Sequence, residues 1–450
     1  MKKRILILMI CSILIIGCTE KAINIKTGPT IVSGHVPELA SKTIRIEAND
    51  SAFECGVDSS GIFRFEIPSE KPGFLFIKEL DKKVFFLPGE SLLVEKVDKA
   101  YKYSGGQSAL INNYYIAWNK YLYAVADTSD SEKYYNQKPY EFLESVDKWI
   151  EIWKKPLYEL QQNNPELNKD FVTLENARIK YWMYGDLNDY DKNHTEIPND
   201  FYQYLNEVNL NDVSLMQVDE YKYFLSSYVF LQARRLNIND KIVNTSKMLD
   251  IIQESFQHEF ILNEISKEII RLQTSRFCIN DTLIDRFNSI CTNAQYKNEV
   301  KRQYQNLRPL LKGNKAPDFE FLGINDNKIT LNNFRGKYLL IDVWSISCAP
   351  CIREIPFMEE LKHALKGKNI EIIAACLSEP PGWKKILAKY GLEDGQYRIE
   401  KGWNSEFRAD YLKSSGVPVY ILIDPNGMII DARAPKPSEG LDKIINSLDL

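Results

Sequence analysis

Between residues 29 and 100 apolar and polar positions alternate in short runs. Phe63, Phe65 and Ile67 fall on one side of Arg64 and Glu66, the period-two pattern of a half-buried strand. Ser60-Gly61, Pro72-Gly73 and Pro88-Gly89 break the runs with turn-forming dipeptides, so residues 29–100 predict a small β-sandwich. From 107 to 311 the period becomes helical. Ile251, Ile252, Phe256, Phe260 and Ile261 share a face, and Ile265, Ile269, Ile270 and Leu272 continue it after a short break. No fixed-length repeat is present. From 313 to 450 strands and helices alternate. Two short extended runs flank Asn325-Asp326-Asn327, and an apolar strand covers Tyr338 to Trp344. A helix follows from about Cys348 to Leu365, then a strand from Ile370 to Leu377 and a helix after Pro381. A third strand follows Pro418, then a turn at Asp424-Pro425-Asn426-Gly427, a fourth strand and a terminal helix. That order predicts a mixed α/β sandwich, preceded by the small β domain and a mainly helical region.

Composition supports this partition. With 44% hydrophobic residues in 450, the chain can bury substantial cores, and disorder throughout is excluded. The net charge is −4, and no long basic block follows the extreme N-terminus, so nucleic acid is not an expected partner. Most of the 25 tyrosines lie between Tyr101 and Tyr228. They could form an aromatic binding face, but at helical spacing packing is the better reading.

The N-terminus changes the picture of location. Lys2, Lys3 and Arg4 precede an apolar run, Ile5 to Ile16, that is too short to span a bilayer and suits a signal peptide. It ends in Ile15-Ile16-Gly17-Cys18, which looks like a bacterial lipobox. Residues 1–17 are thus expected to be a lipoprotein signal peptide, Cys18 the acylated first mature residue, and 18–28 a tether. The expected location is the cell envelope, lipid-anchored and facing the periplasm, with the membrane itself as one partner.

Candidate chemistry centres on Asp342-Val343-Trp344-Ser345-Ile346-Ser347-Cys348-Ala349-Pro350-Cys351-Ile352-Arg353-Glu354-Ile355-Pro356. A bare CxxC is weak evidence. Here an apolar strand ends, the cysteines open a helix, and Val417-Pro418 precedes a later strand. A cysteine at a helix N-terminus meets unpaired N–H groups and the positive dipole end, which stabilise the attacking thiolate. Cys348, at the helix mouth, is therefore the expected nucleophile. Cys351, one turn inside, is the expected resolving thiol. Glu354 lies on a similar helix face and Asp342 in the preceding apolar strand; either could take the proton of Cys351. A zinc site would need two further ligands, and no histidine stands at motif spacing, so no metal and no cofactor are expected. Cys376 reads as a small buried hydrophobe. Cys278 and Cys291 could pair, which their spacing does not decide.

The segment resembles the membrane-tethered thioredoxin-like reductases of the bacterial envelope, the TlpA/ResA-like family that includes the cytochrome-c-maturation group. The family's motif is met by Trp344, Cys348, Pro350, Cys351, Glu354 and Pro356. Asp342 is similar to the buried acid of thioredoxin, and Val417-Pro418 to the family's cis-proline loop. The resemblance covers roughly residues 313 to 450. It implies substrate-binding roles for Trp344, Pro350, Val417 and Pro418, disulfide-bearing exported proteins as substrates, and a membrane electron donor. One position departs: Ser347 stands where the family usually has an aromatic residue, which bears on surface fit and redox tuning. Phe86-Leu87-Pro88-Gly89-Glu90-Ser91 resembles the small β domains that often precede such modules in exported lipoproteins.

Three functions compete. A peroxiredoxin needs a lone peroxidatic cysteine in a Pro-x-x-x-Thr-x-x-Cys setting, which Ser345-Ile346-Ser347-Cys348 does not supply. A lipid-anchored binding or scaffold protein with an ancillary redox domain is the alternative. A thiol–disulfide oxidoreductase acting as a reductase is the preferred reading. No Lys, Arg or His lies within the CxxC or the four residues before it, which disfavours a strongly acidic thiol and hence an oxidant.

Overall fold

The computed structural model describes residues 28–450 except 49, 50, 69, 99, 126–133, 193, 195, 239, 393 and 414. The expected signal peptide, most of the tether and Cys18 lie outside the described residues. The chain divides into two compact units. One takes the described residues up to 190 with 194–202 and 217–221; the other takes 191–192, 203–216 and the described residues from 222 onward.

The first unit begins with eight strands: β1 (Thr30–His35), β2 (Thr43–Ala48), β3 (Ser51–Gly56), β4 (Ile62–Ile67), β5 (Gly73–Ile77), β6 (Lys82–Phe86), β7 (Ser91–Val97) and β8 (Ala100–Gly105). They form two four-stranded sheets, ordered β4-β1-β7-β8 and β3-β2-β5-β6, the expected sandwich. Its core includes Val32, Ile44, Ile46, Phe63, Phe65, Leu75, Ile77, Val84 and Val94. In β4 the alternation holds: Phe63, Phe65 and Ile67 are buried, Arg64 and Glu66 exposed. The strand residues on the inner faces are mostly β-branched or aromatic, which suits a pleated, half-buried surface.

Three helices follow, α1 (Gln107–Val125), α2 (Pro139–Asn163) and α3 (Lys169–Asp189). The Glu90 carboxylate caps α1, accepting from the amides of Gln107 (3.2 Å) and Ser108 (2.8 Å) and from the Ser108 hydroxyl (2.7 Å). The Phe86–Ser91 stretch is therefore the joint between sheet and helix. Of the tyrosines between 101 and 228, Tyr114, Tyr181, Tyr184, Tyr190 and Tyr221 are among those buried in packing, whereas Tyr123, Tyr140 and Tyr158 are exposed.

The helical region is shared between the units. Helix α4 (Asp219–Arg235) passes from one to the other. Helices α5 (Lys241–Ser255), α6 (Glu259–Ser275), α7 (Asp281–Ile290) and α8 (Ala294–Leu307) belong to the second. Asp240, Asn280 and Asn293 cap α5, α7 and α8 by accepting from first-turn amides.

The second unit continues with β9 (Glu320–Leu322), β10 (Lys328–Thr330), β11 (Tyr338–Trp344), helix α9 (Ala349–Ala364) and β12 (Ile370–Cys376). Then come α10 (Pro380–Tyr390), β13 (Gln396–Arg398), β14 (Val419–Ile423), β15 (Ile429–Ala434) and α11 (Leu441–Ile445). The sheet order is β10-β9-β13-β12-β11-β14-β15. β11 lies inside the sheet, parallel to β12 and antiparallel to β14. Period-two geometry sends Leu339, Ile341 and Val343 to one face, where they pack with Ile421, Ile423, Phe407, Tyr411 and Leu412. Leu340, Asp342 and Trp344 take the other face. Leu340 packs with Met358 and Leu361 of α9 and with Leu441 and Ile445 of α11. Asp342 thus points to the face that α9 covers. The elements not anticipated include the three-residue strand β13 and a wide helical turn at Arg408–Leu412 with π-type bonding. Both are too short to carry a period.

Candidate redox site

Cys348 occupies the N-cap of α9, with φ −89° and ψ 95°, directly after the loop that leaves β11. Pro350 is in the first turn, where a missing N–H costs nothing and the fixed φ suits the helix. Cys348 and Cys351 are joined by a disulfide, with Cα atoms 5.3 Å apart. The Cys351 amide donates to Cys348 Sγ at 3.1 Å. In the reduced protein the same amide and the helix N-terminus can stabilise a Cys348 thiolate. Cys348 is partly exposed, whereas Cys351 is 4% exposed. This asymmetry is the one that a nucleophile and a resolving thiol require.

The Val417–Pro418 peptide bond is cis. The loop returns to the sheet at Val419, and the Val417 carbonyl oxygen lies 3.4 Å from Cys348 Sγ. The expected pair is thereby brought beside the helix mouth. Val417 itself packs against the buried cluster that holds Trp344 and Cys351, and also joins the core on the opposite face of the sheet.

The two acids occupy different settings. Asp342 is paired in register with Tyr420 of β14, and one carboxylate oxygen is enclosed with no hydrogen-bond partner among the described residues. Burial pushes its pKa up to about 7, and the nearby Glu354 adds to the shift, while Lys362 opposes it. A group poised there can take up a proton near neutral pH. Glu354 is buried at 8% exposure, and its carboxylate accepts from the Ser438 amide (3.1 Å) and hydroxyl (2.7 Å). Both oxygens are therefore committed to Ser438, a residue that sequence reasoning missed. It stands 84 positions away, and no local signal connects the two.

Trp344 corrects one expectation. Rather than offering a face to a substrate, it is 4% exposed and packs behind the site with Cys351, Cys376 and Trp383. Pro350 remains exposed beside Cys348. Cys376 is fully buried opposite Trp344 in β12, and burial pushes its thiol up to about 11, so it stays protonated. Cys278 and Cys291 are buried, and each sulfur lies on a local carbonyl, those of Arg276 and Asn293. The possibility of pairing them finds no support in that arrangement.

Comparison with known proteins gives the same picture for this part of the chain. The Redoxin family model matches residues 311–446. The chain is 30% identical over 141 residues to the thiol-disulfide oxidoreductase ResA of Bacillus thuringiensis subsp. konkukian, covering 30% of this chain and 78% of that protein. It is likewise 30% identical over 123 residues to ResA of Geobacillus kaustophilus, covering 26% and 66%. Among solved structures, the thioredoxin domain of a thiol-disulfide oxidoreductase from Bacteroides vulgatus aligns at 26% identity and a TM-score of 0.28, covering 30% of this chain and 97% of that one. A thioredoxin-like protein from Bacteroides caccae aligns at 14% identity and a TM-score of 0.42, covering 56% and 98%.

Proposed function

The chain belongs to the thioredoxin-like thiol–disulfide oxidoreductases, and from that premise we propose that it reduces disulfides of exported proteins at the envelope membrane. The observation that carries this reading is the N-capping Cys348 sulfur, bonded to the buried Cys351 and facing the Val417 carbonyl.

The cycle starts from the dithiol. The Cys348 thiolate attacks one sulfur of a substrate disulfide; the substrate S–S bond breaks, and the leaving sulfur departs as a thiolate that takes a proton from water. A client backbone can lie along the Val417 edge as an added strand while this mixed disulfide exists. Cys351 then loses its proton to Asp342, and its sulfur attacks Cys348 Sγ. The second substrate sulfur leaves as a thiolate and takes up a proton, Asp342 gives up the one it accepted, the Cys348–Cys351 disulfide forms, and two electrons have passed to the substrate. Glu354, held by Ser438, tunes Asp342 through its charge. A membrane electron donor returns the pair to the dithiol, and acyl chains on Cys18 keep the protein at the bilayer. Precursors of c-type cytochromes are the client class that the resemblance implies.

Insulin reduction with a chemical donor of electrons tests the reading. Wild-type protein should turn over, and Cys348→Ser should not. Equal activity in the two proteins would refute it; no activity in either would favour the scaffold alternative.

A further inference from the structure

Phe277 follows helix α6 with φ 60°, in the left-handed region that a bulky side chain rarely occupies. Its amide donates to the Thr274 carbonyl (3.0 Å), and the Cys278 amide to the Gln273 carbonyl (2.9 Å). Helix ends closed in this way usually carry glycine at this position, which escapes the Cβ penalty. A phenylalanine persists there only if its ring is held elsewhere. The ring packs against the core under β11 and β14, the core that Val417 also joins. Over the ring lies the Arg433 guanidinium, 4.5 Å from its centre.

Arg433 is in β15. Its guanidinium donates to the carbonyls of Ala432 (2.6 Å), Tyr411 (2.9 Å) and Leu412 (3.2 Å) and to the Ser415 hydroxyl (3.4 Å). Tyr411 and Leu412 end the turn Arg408–Leu412, and the carbonyls at such an end favour a cation. Burial pulls the guanidinium down to about 10, which leaves it charged at neutral pH. The residues it holds, Leu412 and Ser415, lead directly into Val417–Pro418.

We propose that Phe277 and Arg433 are positioning residues for substrate capture, through which the helical segment preceding the α/β fold holds the Val417–Pro418 loop against Cys348. The proposal rests on the reading of that loop as the edge a client backbone meets. Neither residue belongs to the CxxC turn. Loosening the loop should therefore weaken capture of a protein disulfide while leaving attack on a small disulfide unaltered.

The test uses the full chain and two variants. Phe277→Asn removes the ring but tolerates the left-handed backbone. Arg433→Lys keeps the charge but loses the fork that spans three carbonyls and a hydroxyl. The expected result is amide exchange at Lys413, Ser415 and Val417 faster by about two- to tenfold, with KM for insulin raised by a similar factor. The rate with a small aromatic disulfide such as dithiobis(nitrobenzoate) should match wild type. Unchanged exchange at those amides in both variants would overturn the proposal. So would equal losses with both substrates accompanied by a lower unfolding midpoint, the mark of a purely structural role. If wild type reduced no disulfide, the redox reading would fail, and amide exchange alone would decide the coupling.

Discussion

The Val417 carbonyl oxygen stands 3.4 Å from Cys348 Sγ, and the amide of Cys351 donates to the same sulfur at 3.1 Å. The two neighbours act in opposite directions on the reduced thiol. The amide and the helix N-terminus favour thiolate, whereas a carbonyl oxygen accepts from a thiol and repels a thiolate. The reduced thiol thus has one neighbour that favours thiolate and one that favours thiol.

A carbonyl that opposes the thiolate, together with the carboxyl groups of Asp342 and Glu354 nearby, does not favour the dithiol form strongly. The reduction potential of the full chain should therefore lie below about −220 mV, on the reducing side of protein disulfide isomerase. Equilibration with glutathione buffers, read by thiol alkylation, measures it. A value near −120 mV, the strongly oxidising end of the family, would reverse the proposed direction of electron flow.

Exposure separates the two thiols. In reduced protein at pH 7, iodoacetamide should modify Cys348 at least about tenfold faster than Cys351, because only Cys348 is both accessible and at the helix mouth. Peptide mapping of partially alkylated protein reads the ratio. Equal rates would remove the role assignment.

Asp342→Asn should slow resolution of the mixed disulfide more than its formation. In wild type the resolution rate should rise through pH 7, as the carboxyl becomes able to accept the proton, and that rise should vanish in the variant. Stability moves the other way. Burial raises the carboxyl above its ordinary 3.8, so the contribution of the wild-type side chain is fully present below that value and is lost as pH rises through about 7. The oxidised Asn variant should accordingly be more stable than wild type at pH 8, by about 1–4 kcal/mol, and show little gain at pH 4. Urea unfolding at the two pH values checks the sign; a gain only at low pH would contradict it.

Glu354 is expected to matter less for proton transfer, since Ser438 occupies both its oxygens. Glu354→Gln should slow resolution less than Asp342→Asn. Ser438→Ala should lower stability by about 1–2 kcal/mol through the lost hydroxyl bond. Stopped-flow resolution rates in the two acid variants decide the order, and a larger effect at Glu354 would make it the base.

Replacement of Cys18 tests the anchor. Cys18→Ala should leave uncleaved precursor or release the protein from membranes, because one residue carries the acyl chains. Normal processing with unchanged membrane fractionation would remove the lipoprotein reading.

What the sequence determined was local. Alternation in β4, the apolar run of β11, Cys348 at a helix start and Pro350 in its first turn all depend on neighbours within a few positions. Nearest-neighbour sterics and hydrogen bonding suffice to specify such features. The strand period even placed Asp342 on the same face as Leu340 and Trp344. Tertiary structure decided the rest. Which helix covers that face, and so whether Asp342 is buried, depends on how the chain returns over the sheet. The same holds for Ser438 on Glu354, for Trp344 turned inward against Cys376, and for Arg433 over Phe277. Each joins residues tens to hundreds of positions apart. Such contacts are selected by the packing of whole layers, in which burial and polar partners are settled together, and no periodicity within either segment encodes them.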